Sequence, residues 1–221
     1  MNKNDICRYI DNTLLKQYSS SDDFLRFADQ SIPYHFASLC VNPWAVPLIK
    51  KRIDGTNNKI ATVIGFPNGI SSPDVKLYET QKALDDGANE IDFVINIGLL
   101  KSGDTAAVGN EIASLKKCCG SHILKCIIET CFLTNDEIRT MCRIIEDYGG
   151  DFVKTSTGFG TGGATVEHIK LIKSCLTKPT TKIKASGGIR TIGDAIAMIE
   201  AGADRIGTSG GVGIAEAIHN S

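Results

Sequence analysis

The length and composition of the chain indicate an ordinary globular protein. It has 221 residues, of which 42% are hydrophobic and 22% are charged, so the apolar content is sufficient for a well-filled core. The formal net charge of -1 excludes a basic field that would attract nucleic acid or an anionic membrane surface. No apolar run approaches the ~20 residues that span a bilayer, and residues 1–16 lack the apolar stretch of a signal peptide. We therefore expect a cytoplasmic protein without nucleic-acid or membrane partners.

The eight cysteines are expected to be reduced thiols. The chain is long, lacks a secretion signal and is rich in apolar residues, whereas disulfide frameworks are typical of short secreted chains. No C-x-x-C pair occurs and the four histidines are scattered, which disfavours a structural zinc site. Since no other motif indicates a bound group, we expect neither a metal nor a cofactor.

Eight candidate strands follow one another along the chain. The first, residues 7–15, is the weakest, and the later ones are short, almost continuously apolar and rich in Val, Ile or Phe. This composition is typical of parallel strands that are buried on both faces. The stronger candidates are residues 34–41, 59–66, 90–97, 122–129, 151–156, 181–186 and 204–209.

Amphipathic helical patterns lie between these strands. Before residues 75–88, Ser72 followed by proline predicts an N-cap with proline at the first helical position. Residues 135–150 begin with a T-x-x-E capping box that starts at Thr134. The apolar residues near helical spacing are Val75, Tyr78, Ala83 and Leu84 in the first helix and Ile138, Met141, Ile144 and Ile145 in the second.

One local phrase recurs three times, at residues 85–94, 147–156 and 200–209. Each copy has an acidic helix end, a glycine suited to a left-handed helix cap, and then a strand. The glycines of the three copies are Gly87, Gly149 and Gly202, and Gly120 falls between the first two. Their spacing defines a unit of roughly 30 residues, which matches one strand-plus-helix step of a barrel. We therefore predict an α/β fold, a (β/α)8 TIM barrel, as a single domain over residues 1–221.

An open, doubly wound sheet is the alternative arrangement for alternating strands and helices. The near-equal length of the units favours the closed barrel. No G-x-G-x-x-G opens a helix after the first strand, and the partial match at residues 158–163 comes late in the chain. Dinucleotide binding is therefore disfavoured.

Three charged residues interrupt apolar strands: Asp92, Lys154 and Lys184. Chemistry in such a barrel occurs where strands end, and Lys154 directly precedes a turn. Burial disfavours an ammonium ion, so a buried Lys154 would lose its proton readily and could form a Schiff base with a carbonyl substrate. A lysine that is ion-paired or faces solvent is the structural alternative for this position.

Lys184 lies at the corresponding end of the next strand, about 4.8 Å away across the sheet. Its charge would lower the pKa of Lys154 further, although binding an anion is its alternative role. Asp92 can keep one lysine charged and relay protons, or it can form a structural ion pair. Lys182 shares the strand face of Lys184 but lies deeper from the loop. Lys125 also interrupts a strand, and interior charge balance is favoured for it over membership in the same network.

Glycine-rich loops follow the last two predicted strands. Residues 186–191 contain Gly187 and Gly188, and residues 207–211 surround Ser209. Barrels commonly bind phosphate with these loops, because glycine lets backbone N–H groups approach the oxygens. Two such loops in succession favour a phosphate site, and tight turns alone are the structural alternative.

The remaining single residues carry weaker signals. Cys40 ends the strand at residues 34–41 and is expected to be a small buried hydrophobe, although it could face the pocket. Cys126 and Cys131 have no partner histidine, which disfavours thiol catalysis. Trp44 is expected to serve in packing.

Several segments, in order from Asp11 to Gly211, resemble one known family. The most specific are FVKTSTGFGTGGAT and KASGGIRT, and the others are IDNTLLK, ASLCVNPWAV, TVIGFPNG, GANEIDFVINIG and GADRIGTSGG. They are similar to the deoxyribose-phosphate aldolases. The resemblance implies a class I aldolase with a (β/α)8 barrel and no metal. It also implies cleavage of 2-deoxy-D-ribose 5-phosphate to glyceraldehyde 3-phosphate and acetaldehyde, in deoxynucleoside catabolism.

The resemblance also implies residue roles. Lys154 matches the Schiff-base lysine, Lys184 the second active-site lysine that perturbs it, and Asp92 the acidic proton-relay residue. The residues implied to bind substrate or its phosphate are Thr155, Gly158, Gly187, Gly188, Gly207, Ser209 and Gly210. Those implied to support the pocket are Asp11, Thr13 and Cys40.

Three features depart from the family pattern. Thr208 stands where some members carry a serine, and Phe159 stands where some members place a phosphate-binding lysine. The tail, residues 216–221, contains no tyrosine, a residue that assists proton transfer in some members. These departures bear on efficiency and substrate range, and they leave the reaction class unchanged.

Two other functions remain open on the sequence. Another Schiff-base aldolase that acts on a ketose phosphate would share Lys154. A non-catalytic barrel that binds phosphosugars would use the lysines only to neutralise phosphate. The partner is a small sugar phosphate in each case. A homodimer is compatible with a barrel exterior, but the sequence carries no interface signal.

Overall fold

The computed structural model describes residues 6–217, in which eight parallel strands close a barrel in chain order. Each strand pairs with its predecessor, and the last strand pairs with the first. The closed barrel confirms the predicted (β/α)8 architecture over the open sheet. The strands are β1 (Ile10–Leu14), β2 (Ser38–Val41), β3 (Ile60–Ile64), β4 (Glu90–Val94), β5 (Ile123–Ile127), β6 (Phe152–Lys154), β7 (Lys182–Ser186) and β8 (Arg205–Thr208).

Helices cover the outside of the barrel. Two of them, at Ile97–Lys101 and Thr105–Cys119, lie in the connection between β4 and β5. One-turn 3-10 helices occupy Ile32–Tyr34, Pro43–Ala45 and Thr130–Phe132. The α-helices are α1 (Ser21–Ser31), α2 (Val46–Arg52), α3 (Pro73–Asp85), α4 (Ile97–Lys101), α5 (Thr105–Cys119), α6 (Asn135–Asp147), α7 (Val166–Cys175), α8 (Ile192–Ala201) and α9 (Gly211–Ala217).

The strands are shorter than the apolar runs that predicted them, because some apolar residues belong to the flanking turns. In the run at 34–41, Tyr34 ends a 3-10 helix and His35 has a φ of 52°, so β2 begins only at Ser38. Every residue of β3 and β4 is buried, as expected for parallel strands covered on both faces.

The predicted helix caps are largely confirmed. Gly87, Gly149 and Gly202 have φ values of +107°, +84° and +116°, which suit glycine at a left-handed helix end. Thr134 forms the predicted capping box at the start of α6. Ser72 is the N-cap of α3, but its hydroxyl makes no capping hydrogen bond.

The predicted buried face is confirmed in α6, whereas in α3 only its second half, Ala83 and Leu84, lies against the core. The predicted residues of α6 are buried: Ile138, Met141, Ile144 and Ile145. In α3, by contrast, Val75 and Tyr78 are exposed, and the buried residues are Lys76, Thr80 and Ala83. The reason is a polar contact: the inward face of α3 presents the Lys76 ammonium to Glu111 of α5 at 2.8 Å, which leaves the apolar residues of its first half outside.

Charged side chains fill much of the barrel interior. A small apolar cluster of Leu15, Cys40, Ala61 and Val63 packs against Phe66. The rest of the interior holds buried lysines and carboxylates from β1, β4, β5, β6 and β7. Burying so many charges is unfavourable unless each is paired, so their arrangement identifies the site.

Candidate active site

Asp92 on β4 accepts hydrogen bonds from three lysines. Its Oδ2 accepts from Lys154 Nζ at 2.7 Å and from Lys184 Nζ at 2.6 Å, and its Oδ1 accepts from Lys125 Nζ at 2.6 Å. Strand register brings them together, since Lys154 is the partner of Lys184 and Asp92 is the partner of Lys125. The predicted proximity of Lys154 and Lys184 is confirmed. Lys125, for which interior charge balance was favoured, contacts Asp92 and belongs to the same network.

Asp11 and Glu90 extend this network toward the amino ends of the strands. Asp11 accepts from Lys184 Nζ at 2.5 Å and from Arg205 Nη1 at 2.6 Å. Glu90 lies 2.7 Å from Lys125 Nζ and accepts from Arg205 Nη1 at 3.0 Å. Asp11, expected only to support the pocket, therefore holds Lys184 directly.

The charges in this network do not balance when every group is ionised. We call the set the ion cluster; its cations are Lys125, Lys154, Lys184 and Arg205, and its anions are Asp11, Glu90 and Asp92. Four positive charges against three negative ones leave a net charge of +1 in a buried environment. Loss of one proton makes the cluster neutral, and a low-dielectric interior favours that state.

Of the four cations, Lys154 is the one whose surroundings most favour loss of a proton. Burial and the charge of Lys184 lower its pKa, and the attraction of Asp92 does not fully compensate. The Asp92 oxygen that accepts a hydrogen bond from Lys154 also accepts one from Lys184. Lys184 has Asp11 as a second partner. Burial also lowers the pKa of Lys184, but the Asp11 and Asp92 carboxylates raise it more, so the net shift is upward. The geometry therefore places the amine with the lowered pKa, Lys154, beside the ammonium with the raised pKa, Lys184.

The Asp92 carboxylate stays ionised in this arrangement. Burial raises its pKa, but the charges of Lys125, Lys154 and Lys184 together lower it well below its usual range. A permanently charged Asp92 can accept a proton only transiently, through a neighbouring ammonium or a hydroxyl. Its position suits proton relay between the two lysines.

A cavity of about 250 Å³ opens at the carboxyl ends of the strands, with Lys154 in its wall. Its far side is formed by the loops after β7 and β8, as predicted for a phosphate site. The predicted residues that line it are Thr13, Lys154, Gly158, Gly187, Gly188, Gly207 and Ser209.

Glycines shape this cavity. Gly187 and Gly188 have φ values of +86° and +80°, which other residues rarely adopt. A Cβ at Gly207 would lie 2.9 Å from the Ser186 side chain and 3.1 Å from Cε of Lys184, so glycine is what lets Lys184 reach the cluster. Within residues 6–217, the N–H groups of Gly187, Gly188 and Ser209 donate to no protein acceptor. They are available to an anion.

Several predicted residues lie outside the cavity lining. Thr155 is buried and its Oγ1 donates to Ser186 O at 3.1 Å, so it ties β6 to β7. Gly210 N–H donates to Thr208 Oγ1 at 2.9 Å, which turns it away from a substrate. Cys40 is buried in the apolar cluster, and burial raises the pKa of its thiol, as expected of a small hydrophobe.

Sequence reasoning missed two cations at the rim of this cavity. Lys16 and Arg190 line it, and they stand in or directly beside the segments that point to the site. Phe159 also lines it and packs edge-on against Phe66, with ring centroids 5.3 Å apart. The positive charge at the rim is therefore supplied by Lys16 and Arg190 and not from position 159.

The described residues also bear on bound groups and membranes. Within 6–217, no three or more His, Cys, Asp and Glu side chains are grouped to hold a metal ion, and the cysteines are free thiols. No helix in this range combines the length and apolarity needed to cross a membrane. The tail without tyrosine continues into residues 218–221, which lie outside the described residues.

Comparison with known proteins identifies the family of the chain. Residues 7–219 match the model of the DeoC/LacD family of aldolases. The chain belongs to this aldolase family.

Curated members of the family are similar along nearly the whole chain. A deoxyribose-phosphate aldolase of Thermococcus kodakarensis is 50% identical, with 98% of each chain covered. One from Treponema denticola is 49% identical over 94% of this chain and 96% of its own.

Solved structures give the same result. A chain described as QR15, an aldolase, superposes with a TM-score of 0.93 at 42% identity, covering 98% of this chain and 96% of its own. The aldolase of Aeropyrum pernix, described as a tetramer, gives a TM-score of 0.92 at 31% identity, covering 99% of this chain and 92% of its own. Family membership makes this chain a carbon–carbon lyase, so the non-catalytic alternative is set aside.

Proposed function

We propose that the chain cleaves 2-deoxy-D-ribose 5-phosphate, reversibly, to D-glyceraldehyde 3-phosphate and acetaldehyde. The observation that carries the proposal is the buried Lys154, which shares one Asp92 oxygen with Lys184 at the wall of a cavity. The far wall offers free backbone N–H groups, so a substrate with an aldehyde at one end and a phosphate at the other fits both. The names of the close relatives support the same substrate.

Lys154 acts as the nucleophile in this proposal. Its neutral Nζ attacks C1 of the open-chain sugar, and loss of water gives a protonated imine. The imine withdraws electrons from the neighbouring carbons. The bond between C2 and C3 then breaks as the C3 hydroxyl loses its proton, which releases glyceraldehyde 3-phosphate and leaves a two-carbon enamine on the lysine. Protonation of C2 and addition of water to the imine release acetaldehyde and restore Lys154.

Asp92 and Lys184 supply the proton transfers. The Lys184 ammonium is held between Asp11 and Asp92, so it can donate a proton and recover one without leaving its place. Asp92 keeps that ammonium charged and oriented. The phosphate, bound at the glycine loops, fixes the distance between the reacting carbons and Lys154, so its binding energy serves orientation.

Reductive trapping tests the nucleophile. The protein is incubated with 2-deoxyribose 5-phosphate and borohydride, and intact mass and peptide mapping locate the adduct. We expect it on the peptide that contains Lys154. An adduct on Lys184 would keep the class and reverse the lysine roles, and no adduct with bound ligand would overturn the imine mechanism. Lys76, buried outside the barrel, is the internal control and should remain unmodified.

A second candidate substrate is a ketose phosphate, which another Schiff-base aldolase would cleave with the same lysine. The names of the similar relatives favour the aldehyde, because they are deoxyribose-phosphate aldolases. Cleavage assays with 2-deoxyribose 5-phosphate and with ketose phosphates of similar length separate the two. Faster turnover of a ketose would transfer the proposal to that class.

We also propose that the protein is a homodimer, joined through the exposed apolar face of α3. Trp44, Ile70, Val75 and Tyr78 line one external groove, and each is more than half exposed. Such a concentration of large apolar side chains is typical of an interaction surface. Sedimentation velocity tests it: Tyr78→Asp should halve the mass, whereas Tyr18→Asp, at an equally exposed tyrosine elsewhere, should not. A parent chain that sediments as a monomer would refute it.

The cellular context follows from the same chemistry. The proposed reaction consumes a deoxysugar phosphate of the kind released by deoxynucleoside breakdown, so we place the protein in carbohydrate degradation in the cytoplasm. Accumulation of deoxyribose 5-phosphate in cells that lack the protein would support this placement, and an unchanged level would contradict it.

A further inference from the structure

Glu129 follows β5 at the rim of the site, and its environment is unusual for a carboxylate. Its side chain is buried, and within residues 6–217 no lysine or arginine nitrogen lies within 4.0 Å of it. Its backbone has φ 51° and ψ 69°, a left-handed conformation that residues other than glycine rarely adopt. A buried charge on strained backbone persists only where surrounding contacts hold it, and such features cluster at functional sites.

Within residues 6–217, the side-chain hydrogen bonds of Glu129 all lead to one loop. The Thr157 N–H donates to its Oε1 and Oε2 at 3.2 and 3.3 Å, and the Thr157 hydroxyl donates to Oε2. The same hydroxyl accepts from Phe159 N–H at 3.0 Å. Gly160 packs so closely that an added Cβ would lie 3.2 Å from Cδ of Glu129. One carboxylate therefore fixes the loop that begins three residues after Lys154.

This arrangement occupies the backbone N–H groups on both sides of Gly158. Those of Thr157 and Phe159 are bound inside the loop, whereas the Gly158 N–H has no protein acceptor within residues 6–217. Gly158 has a φ of +85°, lines the cavity and packs against Gly187. The free N–H groups of these two loops thus meet at one side of the cavity.

We propose that Glu129 is a positioning residue that presents the Gly158 N–H to the substrate phosphate, an inference that rests on the proposed function. A carboxylate cannot itself bind a phosphate dianion, so Glu129 acts through Thr157. Its effect should be confined to substrates that carry the phosphate. Neither Glu129 nor Thr157 forms a side-chain hydrogen bond or ion pair with a member of the ion cluster within residues 6–217, so the cluster should be untouched.

The test compares two substrates in matched variants. Glu129→Gln removes the charge and keeps the shape of the side chain. Thr157→Val removes the hydroxyl, and Thr157→Ser keeps it. We expect Glu129→Gln and Thr157→Val to raise KM for 2-deoxyribose 5-phosphate by about tenfold, which corresponds to one charged hydrogen bond. KM for unphosphorylated 2-deoxyribose should change by less than about twofold, and Thr157→Ser should behave like the parent.

Glu146 provides a control with the same chemistry in another place. Its buried carboxylate accepts the N–H groups of Thr177 and Lys178, at 2.8 and 2.7 Å, in the loop before β7. Glu146→Gln should lower the thermal midpoint without changing KM for either substrate. If Glu129→Gln changes both substrates equally, or if a folded Thr157→Val leaves both KM values unchanged, the positioning role is overturned.

A binding readout separates this inference from the proposed function. Calorimetric titration with inorganic phosphate needs no turnover, and it should show about tenfold weaker binding in Glu129→Gln and Thr157→Val. A parent protein that binds phosphate but does not cleave 2-deoxyribose 5-phosphate would refute the function and leave the positioning role standing. Equal phosphate affinity in parent and variants would refute the positioning role alone. Should Glu129→Gln fail to fold, Thr157→Val decides the question.

Discussion

Lys76 and Lys154 are both buried lysines that pair with carboxylates, yet their surroundings differ. Lys76 lies on α3, outside the barrel, where its Nζ contacts Glu111 at 2.8 Å and donates to the Val94 carbonyl at 2.9 Å. Lys154 lies inside the barrel and has only a share of Asp92. Burial lowers the pKa of both amines.

Burial alone therefore does not identify a reactive lysine. Lys76 pairs with the Glu111 carboxylate and also donates to a carbonyl. It lines neither the cavity beside Lys154 nor the external groove that contains Trp44. Lys154 belongs to a cluster with one cation too many and reaches a cavity large enough for a small substrate. A surplus of positive charge and an open face together distinguish the catalytic candidate from the structural one.

The largest effect should separate the two lysines by activity. Lys154→Met removes the proposed nucleophile, so kcat/KM for 2-deoxyribose 5-phosphate should fall on the order of 10^4-fold or more. Lys76→Met should keep kcat/KM within about threefold, since no reacting atom touches it. Steady-state assays on purified, folded variants check both values. Comparable losses of kcat/KM in the two variants would show that Lys154 and Lys76 do not differ in their roles.

The free energy of unfolding should depend strongly on Lys76. Lys76→Met leaves Glu111 buried without its partner, which should lower the free energy of unfolding by about 3 kcal/mol. For a chain of this length that corresponds to a fall of roughly 10 °C in the thermal midpoint. Calorimetry measures it. Because paired apolar replacements are often tolerated, Lys76→Met/Glu111→Leu should recover most of the loss, and a single variant as stable as the parent would contradict the structural role.

The pH dependence tests the charge surplus itself. Since the pKa of Lys154 is lowered, the neutral amine predominates above that pKa, and imine formation should decline as the pH falls through it. Lys184→Gln removes the neighbouring cation and leaves three cations against three anions. The pKa of Lys154 should therefore rise, and the acid limb should move to higher pH.

Borohydride trapping with acetaldehyde at a series of pH values measures this limb without requiring turnover of the sugar phosphate. Lys182→Gln is the matched control, because Lys182 is exposed at the start of the same strand. An acid limb that stays in place, or moves to lower pH, in Lys184→Gln would show that the surplus charge does not control Lys154.

The smallest effect should come from the rim of the cavity. Lys16 is exposed, so its attraction for the substrate phosphate is weakened by solvent. Lys16→Gln should raise KM for the phosphate ester by about threefold at low ionic strength, and the effect should shrink as salt is added. Lys170→Gln, at an exposed position on α7, should leave KM unchanged. An effect that is independent of salt would point to a contact other than charge.

The fold could be predicted because its signals are local. Short apolar runs, and glycines such as Gly149 at helix ends, record strand burial and helix termination in neighbouring residues. The first half of the α3 face was predicted wrongly. Val75 and Tyr78 resemble core residues, whereas the contact that orients this part of the helix is made by Lys76 with Glu111, 35 positions later in the chain. A local pattern does not record such a partner.

The site was predictable in part for the same reason. Asp92, Lys154 and Lys184 stand out because each is a charged residue within an apolar predicted strand. Glu129 follows a buried strand in the same way, so the rule that selected Lys154 could have selected it. The hydrogen bond from Lys184 to Asp11 could not be predicted, because it depends on which side chains converge inside a closed barrel.

The closing of β1 onto β8 has a consequence for how activity is acquired. Asp11 contacts Lys184 and Arg205 across 173 and 194 residues of chain. Contacts this distant in sequence form late, because the entropy of closing a long loop must be overcome first. A nascent or partly refolded chain that still lacks its last strands cannot complete the ion cluster. Recovery of imine-forming activity during refolding thus reports the pairing of β1 with β8. In an intermediate whose barrel is still open, Lys154 is not surrounded by the complete ion cluster.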